Sequence, residues 1–302
     1  MSETLLIASL LKSPQATGCD VSKFNIKWSL DKLISSGLAE AIDFIIIRCG
    51  YAGSLGSNVV DPLFFEFFEQ ALTVRASINP DIQIGTYWYP TVHVEWEKQR
   101  DFLLGKILEV CGGELDFTAF DIEKAYNIIN GQFAVATGRF MKYIRQDYPW
   151  RKHLVYTNKY IYQELKTLTN QFDEYPYWHA QYPYNDWLHF TTTFMAYMDR
   201  LFELRNTAPA LPSSKGPNDW EIWQIGANTG VGDNLGFERT HLDICISRRT
   251  HGEFIKWVHE DNLDSQLPPP PPPDFQIPEA VYNELISIGH SAESISETLR
   301  SL

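Results

Sequence analysis

Short apolar runs of strand length alternate along most of the chain with longer segments whose apolar residues recur at helical spacing. The runs fall at residues 18–22, 44–50, 84–90, 117–123, 153–158, 177–182, 221–226 and 241–246. Phe44-Ile45-Ile46-Ile47 has no polar break, as expected of a strand covered on both faces. Between the runs, 28–40 carries Trp28, Leu30, Leu33, Ile34 and Leu38 at helical spacing. Residues 61–76 follow Asp61-Pro62, a cap and a first-turn proline. Helices are also predicted at 95–110, 131–148 and 160–168, and a Gly/Ser-rich loop at 52–58. Strands alternating with helices predict an α/β fold with a mostly parallel sheet. Eight strands predict closure into a barrel, although the later crossovers are too short for regular helices.

The pattern fails at three places. Residues 1–16 read as a lead-in. Residues 186–219 read as an insertion, with one helix at 190–206 and a Pro/Ser/Gly loop at 208–218. It is a decorative lobe or a wall of the substrate groove. The barrel unit, residues 1–264, ends near Asp264. A Pro-rich linker follows at 265–277; its unbroken prolines at 268–273 make a stiff polyproline II spacer. Residues 278–302 form a short C-terminal helical tail of two helices, with Ser291 a cap for the second. So few residues make little core alone. Docking on the barrel, self-association and binding a wall component are all open to this tail.

The strand at 117–123 carries the most informative chemistry. It ends in Asp121 and Glu123, which alternation turns the same way with Cα atoms roughly 7 Å apart. Two acids facing one cavity can be driven to different pKa values, so that one is charged while the other keeps a proton to donate. That is glycosidase equipment. Asp20 and Asp243 also lie near strand ends, and barrels collect chemistry at the C-terminal ends of their strands. Tyr87, Tyr89, Tyr156, Trp178, Tyr182 and Trp223 are candidate sugar platforms, divided between groove and core.

A net charge of -13 argues against nucleic-acid binding and against simple adsorption to an anionic wall or membrane. Cys19, Cys49, Cys111 and Cys245 are scattered with no Cys-x-x-Cys pair, so they read as reduced, and no zinc or redox motif is present. The histidines lack ligand spacing, and Gly50 to Gly56 fits no phosphate loop. No metal and no cofactor are expected. The N-terminal apolar run is preceded by an acid and no base, a poor secretory signal, and no stretch is long enough to cross a membrane. The expectation is synthesis in the cytoplasm, with any extracellular target reached by lysis or dedicated export.

Several motifs recur in one order: Gly18-Cys19-Asp20-Val21-Ser22, Gly85-Thr86-Tyr87-Trp88-Tyr89, Phe120-Asp121-Ile122-Glu123, Val155-Tyr156-Thr157-Asn158, Trp178-His179-Ala180-Gln181-Tyr182, Ile222-Trp223-Gln224 and Leu242-Asp243. This series, spanning roughly 18 to 258, resembles glycoside hydrolase family 25, the Chalaropsis-type lysozymes of bacteria and phages. The resemblance implies an irregular, flattened (β/α) TIM-like barrel with fewer helices than a full eight-fold barrel. It implies N-acetylmuramidase activity on the glycan strands of peptidoglycan, by a retaining, substrate-assisted route. It makes Glu123 the proton donor, with Asp20, Asp121 and Asp243 as the other motif acids, and sets Gln224 with the substrate-binding residues. In this reading the charge of Asp121 raises the pKa of Glu123. Whether Asp121 attacks the sugar or orients its acetamido group stays open. Cys19 replaces the usual aliphatic residue, and Cys245 stands where Asn is common. The nearest enzymatic rival, a family 18 chitinase, carries Asp-x-x-Asp-x-Asp-x-Glu; here Asp116, Asp121 and Glu123 fit but Ala119 does not. A non-catalytic glycan-binding or structural barrel is the rival from another class.

Overall fold

The computed structural model describes residues 15–25, 27–36, 39, 42–53, 56–124, 129–149, 151–182, 208–229 and 242–260. The Pro-rich stretch, the C-terminal tail, the 190–206 helix and nearly all of the lead-in lie outside the described residues. Nine strands form one sheet: β1 (Gln15–Val21), β2 (Phe44–Ala52), β3 (Asn58–Val60), β4 (Gln83–Tyr89), β5 (Phe117–Asp121), β6 (Lys152–Thr157), β7 (Tyr177–Ala180), β8 (Ile222–Thr229) and β9 (Leu242–Thr250). Their order is β1-β9-β8-β7-β6-β5-β4-β2-β3, and β1 also pairs with β2. That extra pairing closes eight strands into a barrel and leaves β3 as a flap on β2. The flap corrects the loop expected at 52–58, which extends β2 and then turns back into β3.

All eight expected strands are present. The ring is parallel from β1 through β2, β4, β5, β6 and β7 to β8, whereas β9 runs antiparallel to both β8 and β1. Hence the beginning of β9, not its end, shares a mouth with the C-terminal ends of the other strands. Asp243 sits there, directly across from Asp20.

The helices are α1 (Leu30–Ser36), α2 (Phe64–Ser77), α3 (Trp96–Phe102), α4 (Gly131–Asp147), α5 (Lys159–Leu168) and α6 (His251–Glu260). Asn130 and Asn158 cap α4 and α5 by accepting backbone N–H bonds from Phe133 and from Tyr160 and Ile161. The helix expected at 95–110 is broken: after Phe102 the chain loosens into π-turns over Leu103–Leu108, around Gly105. Asp61 opens α2 with a bond from the Leu63 N–H, but it is fully buried and also receives the Arg48 guanidinium.

Period-two alternation sorts the sheet into two apolar layers. Ile45, Ile47, Ile84, Phe120 and Val155 face outward onto the helices. Phe44, Ile46, Tyr87, Phe117, Ala119, Leu154, Tyr156 and Trp178 fill the barrel interior. At its base Phe alternates with Gly. A Cβ on Gly18 would lie 2.2 Å from the Phe44 carbonyl oxygen, and one on Gly85 would lie 2.3 Å from the Phe117 ring. Helix α6 plugs this base, with Phe254 4.9 Å from Phe44 and 6.1 Å from Phe117 between ring centroids. No described helix is long and apolar enough to cross a membrane.

Candidate active site

Climbing the inward positions of each strand, the side chains change from apolar to polar. On β5 the series is Phe117, Ala119, Asp121; on β1 it is Ala16, Gly18, Asp20; on β2 it is Phe44, Ile46, Arg48; on β8 it is Ile222, Gln224. The upper mouth is therefore lined by acids above an aromatic floor. β5 ends at Asp121, and Glu123 follows in the connection, more exposed than the buried Asp20 and Asp121. Tyr89 donates to the Glu123 carbonyl oxygen at 3.3 Å.

Gln224, on the inner face of β8, joins the parts. Its amide nitrogen donates to Asp20 Oδ2 at 2.7 Å and reaches Asp243 Oδ2 at 3.5 Å. Its amide oxygen accepts from the hydroxyls of Tyr156 and Tyr182, each at 2.7 Å. Two hydroxyls on one end and two carboxylates on the other fix which way the amide points. The Cys245 thiol gives Asp20 a second donor at 3.4 Å, in the place where the resemblance expects Asn.

The electrostatics are those of crowded, buried acids. Burial, then the charge of Asp243, holds Asp20 well above the usual carboxylate range; the bonds from Gln224 and Cys245 pull the other way. Burial, then Glu123, raises Asp121, against a lowering pull from Arg48. Burial, then Asp243, raises Glu123. The charge expected to raise Glu123 was that of Asp121; it is Asp243, brought there by the antiparallel β9, that does so, while Glu123 raises Asp121. Asp121 Oδ1 is buried and accepts no hydrogen bond from any described residue.

The aromatic candidates divide by the side of the sheet they occupy. Tyr87, Tyr156 and Trp178 form the floor, with Trp178 edge-on to Tyr156 at 4.5 Å and to Tyr87 at 6.0 Å. Tyr89 is buried beside Glu123, and Tyr182 stands at the rim, 40% exposed. Trp223 is a correction: it packs in the outer layer, next to Trp220, and so lies on the wrong side of the sheet to meet a sugar in the mouth. Adjacent strand residues cannot both face inward, and here Gln224 does.

Arg48 was missed by sequence reasoning. It shares the parity of Phe44 and Ile46, faces the mouth, and is held by Asp61 with Nε to Oδ2 at 2.6 Å. Asp116, which the chitinase motif would place in the site, lies at the opposite end of the barrel, paired with Arg75.

The family model for glycosyl hydrolases family 25 matches residues 19–229, most of the chain. Asp243 lies beyond that span and enters the site through the β1–β9 register. Among solved structures, a family GH25 lysozyme from Aspergillus fumigatus and a muramidase from Acremonium alcalophilum each superpose with a TM-score of 0.55 at 14% identity, covering 81% of this chain and 99% of theirs. A glycosyl hydrolase 25 virulence factor of Streptococcus pneumoniae gives 0.52 at 13% identity, over 85% of this chain and 98% of its own. At such identities these likenesses speak to the fold. No curated protein matches the chain by sequence. With most of its length matched by the family model, the chain belongs to glycosyl hydrolases family 25.

Proposed function

We propose that this protein is an N-acetylmuramidase, hydrolysing the β-1,4 bond from N-acetylmuramic acid to N-acetylglucosamine in the glycan strands of peptidoglycan. The observation that carries this reading is the meeting of Asp20, Asp121, Glu123 and Asp243 at one barrel mouth, with raised pKa values on the first three. Burial and mutual repulsion favour the protonated forms of Asp20, Asp121 and Glu123. Glu123 is the proton donor: it is less buried than Asp20 and Asp121, and burial and the charge of Asp243 shift it toward its protonated form.

The partnerless Asp121 Oδ1 favours the substrate-assisted route. A buried acceptor without a donor is costly, and the acetamido N–H of the bound sugar supplies one. The acetamido oxygen then bonds to the anomeric carbon as the glycosidic C–O bond breaks. The proton of Glu123 goes to the leaving oxygen. Water next attacks the anomeric carbon, gives its proton to the Glu123 carboxylate, and restores the acetamido group with net retention. The charge that develops on the ring is met by the ionised members of the acid cluster. Gln224, buried and bonded at both ends of its amide, acts as a positioning residue, holding Asp20 and Asp243 rather than touching sugar.

Mass analysis of fragments released from purified walls tests this. New muramic acid reducing ends are expected, absent with Glu123→Gln. New glucosamine reducing ends would point to the opposite bond, and no release from any wall would leave the binding-barrel reading in its place.

A further inference from the structure

Among the described residues the two most exposed large hydrophobic side chains are Tyr160, 70% exposed, and Phe24, 63% exposed. Both stand on connections leaving the catalytic mouth: Phe24 follows β1 and Tyr160 follows β6. In the closed ring β1 and β6 are diametrically opposed, four steps apart by way of β9, β8 and β7 and four by way of β2, β4 and β5. An eight-stranded ring is about 15 Å across. Asp20 and Asp243 stand on β1 and its neighbour β9, and Asp121 ends β5, the neighbour of β6.

Both residues stand on backbone that is held in place. Phe24 lies in a turn where Ser22 N–H donates to Asn25 Oδ1 at 2.8 Å, Asn25 N–H donates to the Ser22 carbonyl at 2.9 Å, and Lys23 N–H donates to the buried Asp61 at 3.1 Å. The Arg48 guanidinium, also bound to Asp61, sits 5.1 Å from the Phe24 ring centroid. Tyr160 is held by the Asn158 cap at the start of α5. One turn on, Glu164 pairs with Lys124 at 2.6 Å, the residue after Glu123. Each ring also has a lysine ammonium over one face, Lys23 at 5.8 Å and Lys159 at 5.0 Å from the centroid.

We propose that Phe24 and Tyr160 are distal stacking platforms at the two ends of a glycan path across the mouth. Lys23 and Lys159 beside them receive the lactyl-peptide carboxylates that the strand carries. The inference rests on the muramidase reading. An exposed ring on held backbone offers an apolar face to a sugar, with only its own side-chain torsions left to order. The lysines set positive charge at the ends of a path whose centre is acidic, so an anionic polymer is guided by its side groups while the scissile unit meets the carboxyls.

The test compares kcat/KM on long, peptide-bearing glycan strands with that on the minimal disaccharide substrate, too short to reach both ends. Phe24→Ala and Tyr160→Ala are each expected to lower the long-to-short ratio about fivefold. The two ends are far apart, so the double variant should multiply the effects, to about twenty-five-fold. Added salt should lower the ratio further in the wild type than in Lys23→Gln, Lys159→Gln protein. A ratio unmoved by either alanine, or a double variant no worse than a single one, would overturn the proposal. Wild-type protein inert on both substrates would overturn the muramidase reading instead. The platforms would then be judged from binding of soluble strands to Glu123→Gln protein with and without the two alanines, where unchanged affinity counts against them.

Discussion

The two mouths of the barrel carry acids at matching places, and the chain treats them in opposite ways. At the lower mouth an acid stands immediately before a strand in three cases: Asp43 before β2, Asp116 before β5 and Glu221 before β8. Each is joined to a basic side chain. Asp43 meets His251 at 2.6 Å and the Thr17 N–H at 2.7 Å. Asp116 meets Arg75 and the Ile84 N–H. Glu221 meets Arg248 and Arg249, each at 2.7 Å. At the upper mouth Asp20, Asp121 and Glu123 are raised by burial and by neighbouring acids, and the cation that faces them, Arg48, is bound to Asp61 and pulls only on Asp121. The lower mouth uses charge to hold strands in place. The upper mouth keeps charge frustrated, and frustrated carboxyls are what acid catalysis at near-neutral pH requires.

The sharpest way to break this contrast is to remove one acid from the upper mouth. Glu123→Gln keeps the shape but cannot give up a proton, so kcat on walls should fall about a thousandfold or more. The folding midpoint should hold or rise. Residual turnover within tenfold of wild type would move the proton donor to another acid. Next in size is Arg75→Met at the lower mouth. It strands the buried Asp116 without its cation and should cost about 3 kcal/mol, a fall of about 8 °C in Tm. Turnover per folded molecule should be unchanged, measured well below the transition. A variant as stable as wild type would make the lower pairs ornamental.

Gln224→Glu sharpens the comparison from inside the upper mouth. It exchanges the donor that steadies Asp20 and Asp243 for another acid. We expect kcat to drop about thirtyfold, the size of one hydrogen bond to a charged group. The acid limb of the rate profile should move to higher pH, because the bond that lowers Asp20 is lost and a like charge is gained. A rise in KM with an unmoved pH profile would instead return Gln224 to direct sugar binding.

Much of this architecture is legible in the residues, and what is hidden has identifiable causes. The strands declare themselves because a buried barrel strand must be apolar on both faces, as Phe44 to Ile47 are. Asp121 and Glu123 declare themselves because two acids end such a run. The direction of β9 does not, since it is set by pairing with β1, far away in the chain, and so the identity of Asp243 as the acid whose charge raises Glu123 was hidden. Parity was available and would have corrected Trp223: positions 223 and 224 cannot both point inward. It would also have added Arg48, in step with Phe44 and Ile46. Helix α6 escaped because the strand–helix alternation ends at β9, although Phe254, Trp257 and Val258 already show a helical stripe.

The subtlest consequence of the contrast is a stability effect whose sign depends on where the acid sits. Asp121 binds its proton more tightly folded than unfolded, because burial and Glu123 raise its pKa. Between the ordinary aspartate value and that raised value, the native state holds more protons than the unfolded chain. Stability therefore falls as pH climbs through this window. Buried His153 and His179, both lowered to about 4, contribute the opposite slope between about 4 and their ordinary value of 6.5. They are present in every variant, so they cancel when Asp121→Asn is compared with wild type at each pH. That difference should be near zero at pH 4 and grow in favour of the variant as pH climbs to 7, read as a widening gap in Tm. The same variant should lose most of its wall-hydrolysing activity. A variant that is instead less stable at neutral pH would mean that Asp121 is held as a well-solvated or well-paired carboxylate. The two mouths would then differ in position but not in kind.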